Sequence, residues 1–299
     1  MKKTLIAVAA AALSMGAMAQ NVTLSGKFAV GYGKAIGGAS NFHVTDGDVK
    51  FSASEDLGGG LKANAAMEVQ VRGRAATNAT INGRNATIGV SGGFGSITLG
   101  AVDAANGIVG LGFAGAPVSL ANGYDGLILS GGANVDWANY TTPALLPGLT
   151  AKLERVDSVT APGNNRALAA NVIGANYSAG AVAVAVDYTD FNNDRTRVRA
   201  SGSYNLGIAV LGLGYEDNRG GAAVGGPAGT QTAFGVNVPL GAVSAGLIFA
   251  KSEENNTQGW GVGMNYSLSK RTTFNVSYGD QTRGVADGTQ YRLRLLHSF

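Results

Sequence analysis

The sequence predicts an all-β fold, a closed antiparallel β-barrel of sixteen strands that crosses a membrane. Three observations carry this. First, Leu61 to Arg72 reads LKANAAMEVQVR, with Leu61, Ala63, Ala65, Met67, Val69 and Val71 on one parity and Lys62, Asn64, Glu68, Gln70 and Arg72 on the other. A period of two sorts side chains onto the opposite faces of a strand, whereas a helix would mix Lys62, Met67 and Arg72 with one another. Twelve residues is long beside the roughly five or six usual in soluble strands, and close to the roughly nine to eleven that a tilted strand needs to span a bilayer. Second, 47 glycines without a collagen period, against only 6 prolines, suit many short alternating runs joined by turns. Third, past the N-terminal segment no apolar run approaches the roughly eighteen residues of a spanning helix. In lipid only helices and closed barrels satisfy their own backbone, so a membrane protein of this composition is a barrel.

The first nineteen residues stand apart. Lys2 and Lys3, the apolar run Leu5 to Leu13 and the small-x-small triplet Ala17-Met18-Ala19 have the form of a cleaved secretory signal, which places the mature start at Gln20. The remainder, 20–299, is read as one domain. Without Lys2 and Lys3 it holds 20 basic against 19 acidic residues, too even a balance to suggest nucleic acid as a partner. With no Cys, an exported chain has neither a disulfide framework nor a thiolate metal site.

The strands follow in order. Val22 to Tyr32 alternates, with Val22, Leu24, Phe28, Val30 and Tyr32 opposing Thr23, Ser25 and Lys27. Residues 33–46 read as a Gly/Ser/Asn loop that contains His43. Asp48 to Ser54 is the second strand, and Asp56 to Gly60 turns into the third, which is Leu61 to Arg72. Arg84 to Ser91 and Ser96 to Val102 form a hairpin about Gly92 to Gly95. From roughly 103 to 133 alternation lapses, and a connection of that length is usually functional or disordered. Alternation then resumes near 134–142, 149–157, 167–178, 181–190, 195–205, 208–216, 230–239, 241–251, 257–267, 271–280 and 288–299. Short connections alternate with longer ones, the asymmetry of an outer-membrane barrel. Tyr32, Tyr188, Tyr278, Tyr291 and Phe299 lie at strand ends on apolar parities, as interfacial girdle residues do.

Charges on polar parities should face a wet lumen, because one on the lipid side near mid-bilayer costs roughly 2–4 kcal/mol. Arg72, Arg197 and Arg199 qualify, with Glu68 and Asp187 nearby to offset them. Arg84 shares its parity with Ile88 and Val90, so alternation alone does not place it. Rings of basic side chains favour anions. Gly110 to Gly115 matches G-x-G-x-x-G, but Pro117 follows and no βαβ context surrounds it, so a chance match in a glycine-rich chain is the better reading. The 2 histidines, His43 and His297, are too few for most catalysis, and no cluster has transition-metal spacing. No enzyme activity, cofactor or metal is expected.

Taken together, several stretches resemble the trimeric general porins of Gram-negative bacteria. They are Ser54-Glu55-Asp56-Leu57-Gly58-Gly59-Gly60-Leu61-Lys62; Arg84-Asn85-Ala86 leading to Gly89-Val90-Ser91-Gly92-Gly93-Phe94-Gly95; Tyr266 to Thr272; and the terminal Leu295-Leu296-His297-Ser298-Phe299. The resemblance implies a sixteen-stranded outer-membrane barrel, a homotrimer embedded in lipid, and passive diffusion of ions and small hydrophilic solutes. It also implies a third loop, here 103–133, folded into the lumen, and recognition of the terminal Phe299 by the outer-membrane assembly machinery. Carried onto this chain, the expected pore-lining set is Arg84, Arg72, Lys50, Asp48, Glu68, Arg197, Arg199, Asp103 and Asp125. The chain departs from the family where Asp48 and Asn139 stand at positions that commonly hold Arg. Its long loop carries only Asp103 and Asp125 as acids, beside Ile108, Val109, Leu111, Phe113, Val118 and Leu120. That apolar loop motivates an alternative, a solute-preferring channel with a greasy slide. A structural or surface-binding barrel with a plugged lumen is the other.

Overall fold

A computed structural model describes residues 21–71, 81–103, 107–120, 134–158, 169–191, 194–220, 228–254, 256–282 and 287–299. Its strands are β1 (Asn21–Lys34), β2 (Asn41–Gly58), β3 (Leu61–Val71), β4 (Ile81–Gly92), β5 (Gly95–Asp103), β6 (Asn134–Thr141), β7 (Leu149–Ser158) and β8 (Ala170–Ala179). They continue as β9 (Val182–Phe191), β10 (Thr196–Asn205), β11 (Val210–Arg219), β12 (Gly229–Leu240), β13 (Val243–Ser252), β14 (Thr257–Ser267), β15 (Thr272–Thr282) and β16 (Gly288–Ser298). Each strand pairs antiparallel with the next, and β16 returns to β1, so the sixteen strands close into a barrel with no free edge. At the seam Gly26 N–H donates to the Phe299 carbonyl at 2.9 Å, and Phe299 N–H to the Gly26 carbonyl at 3.0 Å.

The alternation read from the sequence becomes two faces. Outward stand Val22, Leu24, Met67, Ile88, Leu99, Ile173, Val186, Leu213 and Leu295, all exposed because the membrane, not protein, covers them. Two bands of aromatics bound this belt. Tyr32, Phe42, Tyr188, Tyr215, Trp260 and Tyr278 face outward near one end, and Tyr177, Tyr204, Tyr266 and Phe274 near the other. Neighbouring rings touch, Tyr32 to Phe42 at 4.9 Å and Trp260 to Tyr278 at 5.9 Å between centroids. Turns at the second end are tight. Gly58, Gly59 and Gly60 have φ of 80°, 61° and 80°, three successive left-handed residues that a side chain would strain, and Gly58 N–H donates to the Asp56 carboxylate at 2.9 Å.

Two expectations change. The stretch 33–46 is not all loop, since β1 runs to Lys34 and β2 begins at Asn41, so His43 is a strand residue. Paired strands keep their hydrogen bonds beyond the bilayer, which Gly/Ser/Asn composition hides. The long third connection also contains a short helix, α1 (Gly107–Gly112), where no helical pattern is legible. Six residues with three glycines do not form a helix on propensity, so its support is tertiary: α1 packs on the inner side of β10 and β11.

Candidate functional site

The lumen face is built from the opposite parities. Around β16, β1, β2, β3 and β4 the charges form a chain of alternating sign. Arg294 donates to Asp46 at 2.7 Å, Lys27 reaches Asp46 at 3.1 Å and Asp48 at 3.2 Å, and Arg84 reaches Asp48 at 3.3 Å and Glu68 at 3.7 Å. Asn85 completes it with a bond to Glu68 at 2.9 Å. Three cations and three carboxylates therefore share one wall.

Two β-bulges interrupt the strands of this wall, and the second places Arg84 in it. Ala29 pairs with Asp46 but Val30 with Val44, so Thr45 is an extra residue in β2. Likewise Met67 pairs with Ala86 but Val69 with Gly83, so Arg84 and Asn85 together oppose Glu68. A bulge resets which face the following residues occupy. Arg84 thereby points inward although Ile88 and Val90, of the same parity, point to lipid; in β2 Asp46 keeps the lumen parity of Asp48 and Lys50, while Phe42, before the bulge, turns outward.

Opposite lies a second polar cluster. Arg199 pairs with Glu216, and Arg195 approaches Glu254 at 3.5 Å. The two carboxylates are bridged by Asn218, at 2.7 and 2.8 Å, and by Gln231, at 3.0 and 2.6 Å. Arg195 and Arg197 each stack over Phe191 with 5.3 Å to its centroid. Arg195, Arg199, Glu216, Asn218, Gln231 and Glu254 are buried, and Arg197 and Phe191 are half-buried.

Between the two clusters runs the segment 107–120, lying along the lumen side of β10–β15. Phe113, Val118 and Leu120 are 2–3% exposed and pack with Ala233, Ile248 and Ala250 of the wall. Phe113 to Ala116 is a turn in which Ala114 and Gly115 have φ of 53° and 67° and Ala116 N–H donates to the Phe113 carbonyl at 2.9 Å, a type I′ signature. The G-x-G-x-x-G match is thus spent on close packing, with Gly112 against Gly214 and Gly115 in the turn. Asn275 Nδ2 donates to the Pro117 carbonyl at 2.9 Å, Ser119 N–H to Ser277 Oγ at 2.8 Å, and Arg292 Nε to the Ser119 carbonyl at 3.0 Å. A cavity of about 570 Å³ remains between this segment and the charged wall, bounded by Lys27, Asp46, Arg292 and Arg294 on one side and Pro117 and Ser119 on the other.

Of the residues singled out from sequence, Arg84, Asp48 and Glu68 come together, and Lys50 stands on the same face with Glu68 as its cross-strand neighbour. Arg199 lies across the lumen in the buried cluster, and Arg197 is half-buried beside it over Phe191. Arg72 and Asp125 lie outside the described residues, and of Asp103 only its place at the end of β5 is described. Sequence reasoning missed Lys27, Asp46, Arg292, Arg294, Glu216 and Glu254. Parity could have flagged Lys27, Arg292 and Arg294, which oppose Phe28, Tyr291, Leu293 and Leu295, and also Asp46, which shares the parity of Asp48 and Lys50 but falls in the stretch read as loop. Among the described residues no group of three or more His, Asp or Glu is placed to hold a metal ion.

A sheet closed on itself, apolar outside and charged within, defines a membrane-spanning channel protein. The chain belongs to the Gram-negative porin family, whose model matches residues 5–284. It is an outer-membrane porin of a Gram-negative bacterium, a channel for passive diffusion. Solved structures share the fold. An anion-selective porin from Comamonas acidovorans is 22% identical, with a TM-score of 0.70 over 94% of this chain and 100% of that one. A triple mutant of the Rhodopseudomonas blastica porin is 16% identical, with a TM-score of 0.67 over 93% of this chain and 100% of that one. No curated protein sequence matches the chain.

Proposed function

We propose that the constriction is the gap between segment 115–120 and the wall of β16, β1 and β2, and that it passes small hydrophilic solutes and ions with weak charge preference. The observation that carries this is the alternating chain from Arg294 to Glu68, in which each carboxylate lies against a cation. Fixed charges of both signs a few ångströms apart largely cancel at the distance of a passing ion. Arg292 adds one more positive charge beside the gap, so the residual preference is for anions. Arg84, Asp48, Glu68 and Lys50 belong to this wall, Arg197 and Arg199 to its bracing. The protein works without catalysis, cofactor or metal.

The greasy-slide alternative has less support, because three of the apolar residues that motivate it, Phe113, Val118 and Leu120, turn into the wall. Self-association as a homotrimer has a matching feature. The outer face of β3–β5 carries alanines and no aromatic, and a depression beside it is lined by Val22, Phe51, Ala65, Met67, Ile88 and Leu99. The same reading includes cleavage after Ala19, residence in lipid, and delivery by the assembly machinery through Phe299.

The test is single-channel recording of the refolded mature protein in a planar bilayer under a KCl gradient. Conductance in groups of three, with a small reversal potential of anion-preferring sign, is expected. Strong cation selectivity would overturn the charge argument, and a folded barrel that does not conduct would give the plugged-lumen reading the lead.

A further inference from the structure

We propose that the lumen-facing glycines Gly212, Gly235, Gly261 and Gly263 set the aperture of the channel, by giving segment 111–120 a flat seat against the wall. Their chain neighbours Leu211, Leu213, Trp260 and Val262 are large and exposed on the lipid face, while the four positions themselves put no side chain on the lumen side. None of the four has a positive φ, so the strand geometry itself does not require glycine. What requires it is the segment. A Cβ on Gly212 would stand 2.8 Å from the Ala114 nitrogen, and one on Gly235 2.5 Å from Phe113 C and Cα. One on Gly261 would stand 2.8 Å from Val118 Cγ1, and one on Gly263 2.9 Å from Pro117 C and Val118 Cα. At Gly212, Gly235 and Gly263 all three nearest atoms belong to the segment, and all of them are its backbone atoms.

The seat is a run of paired glycines broken by Ile248, which stands between Gly235 and Gly261 and packs on the segment. Gly212 pairs with Gly235 across β11 and β12, Gly246 with Gly263 across β13 and β14, and Gly261 with Gly279 across β14 and β15. Gly112 in turn lies on Gly214, so backbone meets backbone at the start of the seat as well. Bonds from Asn275, Ser277 and Arg292 hold the far end. The barrel wall is a closed hydrogen-bonded sheet and yields little, whereas the segment is a single strip of chain. Bulk added at the seat therefore moves the strip inward, towards Lys27 and Asp46, and narrows the gap.

The test compares Gly235→Ala and Gly263→Ala with Gly202→Ala, whose Cβ would meet nothing closer than 3.4 Å. Each is refolded, checked for assembly by heat-modifiable electrophoretic mobility, and measured for conductance and for the largest polyethylene glycol that enters the pore. The two seat variants should show a conductance about a third lower or less and a smaller polymer cut-off, in proportion to a strip moved by about a methyl radius; Gly202→Ala should match the parent. Seat variants with an unchanged or wider aperture would overturn the proposal. A second probe does not depend on tolerating the alanines. In the Val118→Cys, Gly261→Cys double variant of this cysteine-free chain, Val118 Cγ1 and the new Cβ stand 2.8 Å apart, near the geometry of a disulfide. Oxidation should form that bond, because the strip lies against the wall at this point; failure to form it would mean the strip is not seated there. The inference rests on the pore running beside this segment: a parent that does not conduct sinks that reading, whereas seat variants that conduct like the parent sink only this one.

Discussion

Neutralising Asp46 gives the sharpest check on the charge chain. Asp46 holds Lys27 at 3.1 Å and Arg294 at 2.7 Å, and it borders the gap beside segment 115–120. Asp46→Asn keeps the shape and removes one negative charge, so Lys27, Arg292 and Arg294 then face the gap without it. At roughly 5 Å from a passing ion, a unit charge is worth about 0.8 kcal/mol at the dielectric constant of water, and more where the space is less polarisable. Screening with a Debye length of about 10 Å in 0.1 M salt trims this to about 0.5 kcal/mol. Anions gain that amount and cations lose it. The permeability ratio therefore changes by about 1 kcal/mol, roughly fivefold. Under a tenfold KCl gradient a fivefold preference corresponds to a zero-current potential of about 30 mV, readily resolved in a planar bilayer. A shift towards cations, or a shift below about 5 mV in a channel of normal conductance, would refute the placement of Asp46 at the constriction.

Three further outcomes follow from the same geometry. Glu216→Ala leaves Arg199 buried without its carboxylate and should destabilise the barrel by about 3–5 kcal/mol, read as a lowered urea midpoint in lipid vesicles; an unchanged midpoint would remove the cluster from the bracing role. Phe299→Ala removes a ring seated over Gly26 at the β1–β16 seam, and should lower the yield of heat-modifiable barrel and its stability by about 1–2 kcal/mol. The 2 tryptophans separate the two faces: Trp260 faces lipid, and Trp137, cross-strand from Gly100, faces the lumen. Brominated lipid should quench the Trp137→Phe variant, which retains Trp260, and aqueous acrylamide the Trp260→Phe variant; the opposite pattern would invert the assignment of faces.

Much of the fold was legible because it is local. Leu61 to Val71 declares its two faces by alternation alone, and each of the sixteen strands falls where such a pattern was read, with ends that move by a few residues. The ends move because hydrogen bonding to a neighbour can extend a strand past its alternating core, as β2 does back to Asn41. The lumen set was legible only in part. Asp48 and Glu68 follow from parity and Arg84 from its motif, but Arg84 meets them only through a bulge whose position depends on the partner strand.

The sequence by itself determined the class of protein: an apolar parity facing lipid, a polar parity facing water, glycine-rich turns and a terminal aromatic strand. Those are properties of neighbouring residues, and the solvent on each side of the sheet acts on them one strand at a time. Tertiary structure alone decided the site. Arg294 meets Asp46 across 248 residues of chain, and Asn275 meets Pro117 across 158. Segment 107–120 takes its shape from a lane of glycines on strands that follow it by about a hundred residues or more. Closure of the barrel brings these groups within bonding distance, and no local pattern encodes which of them will meet.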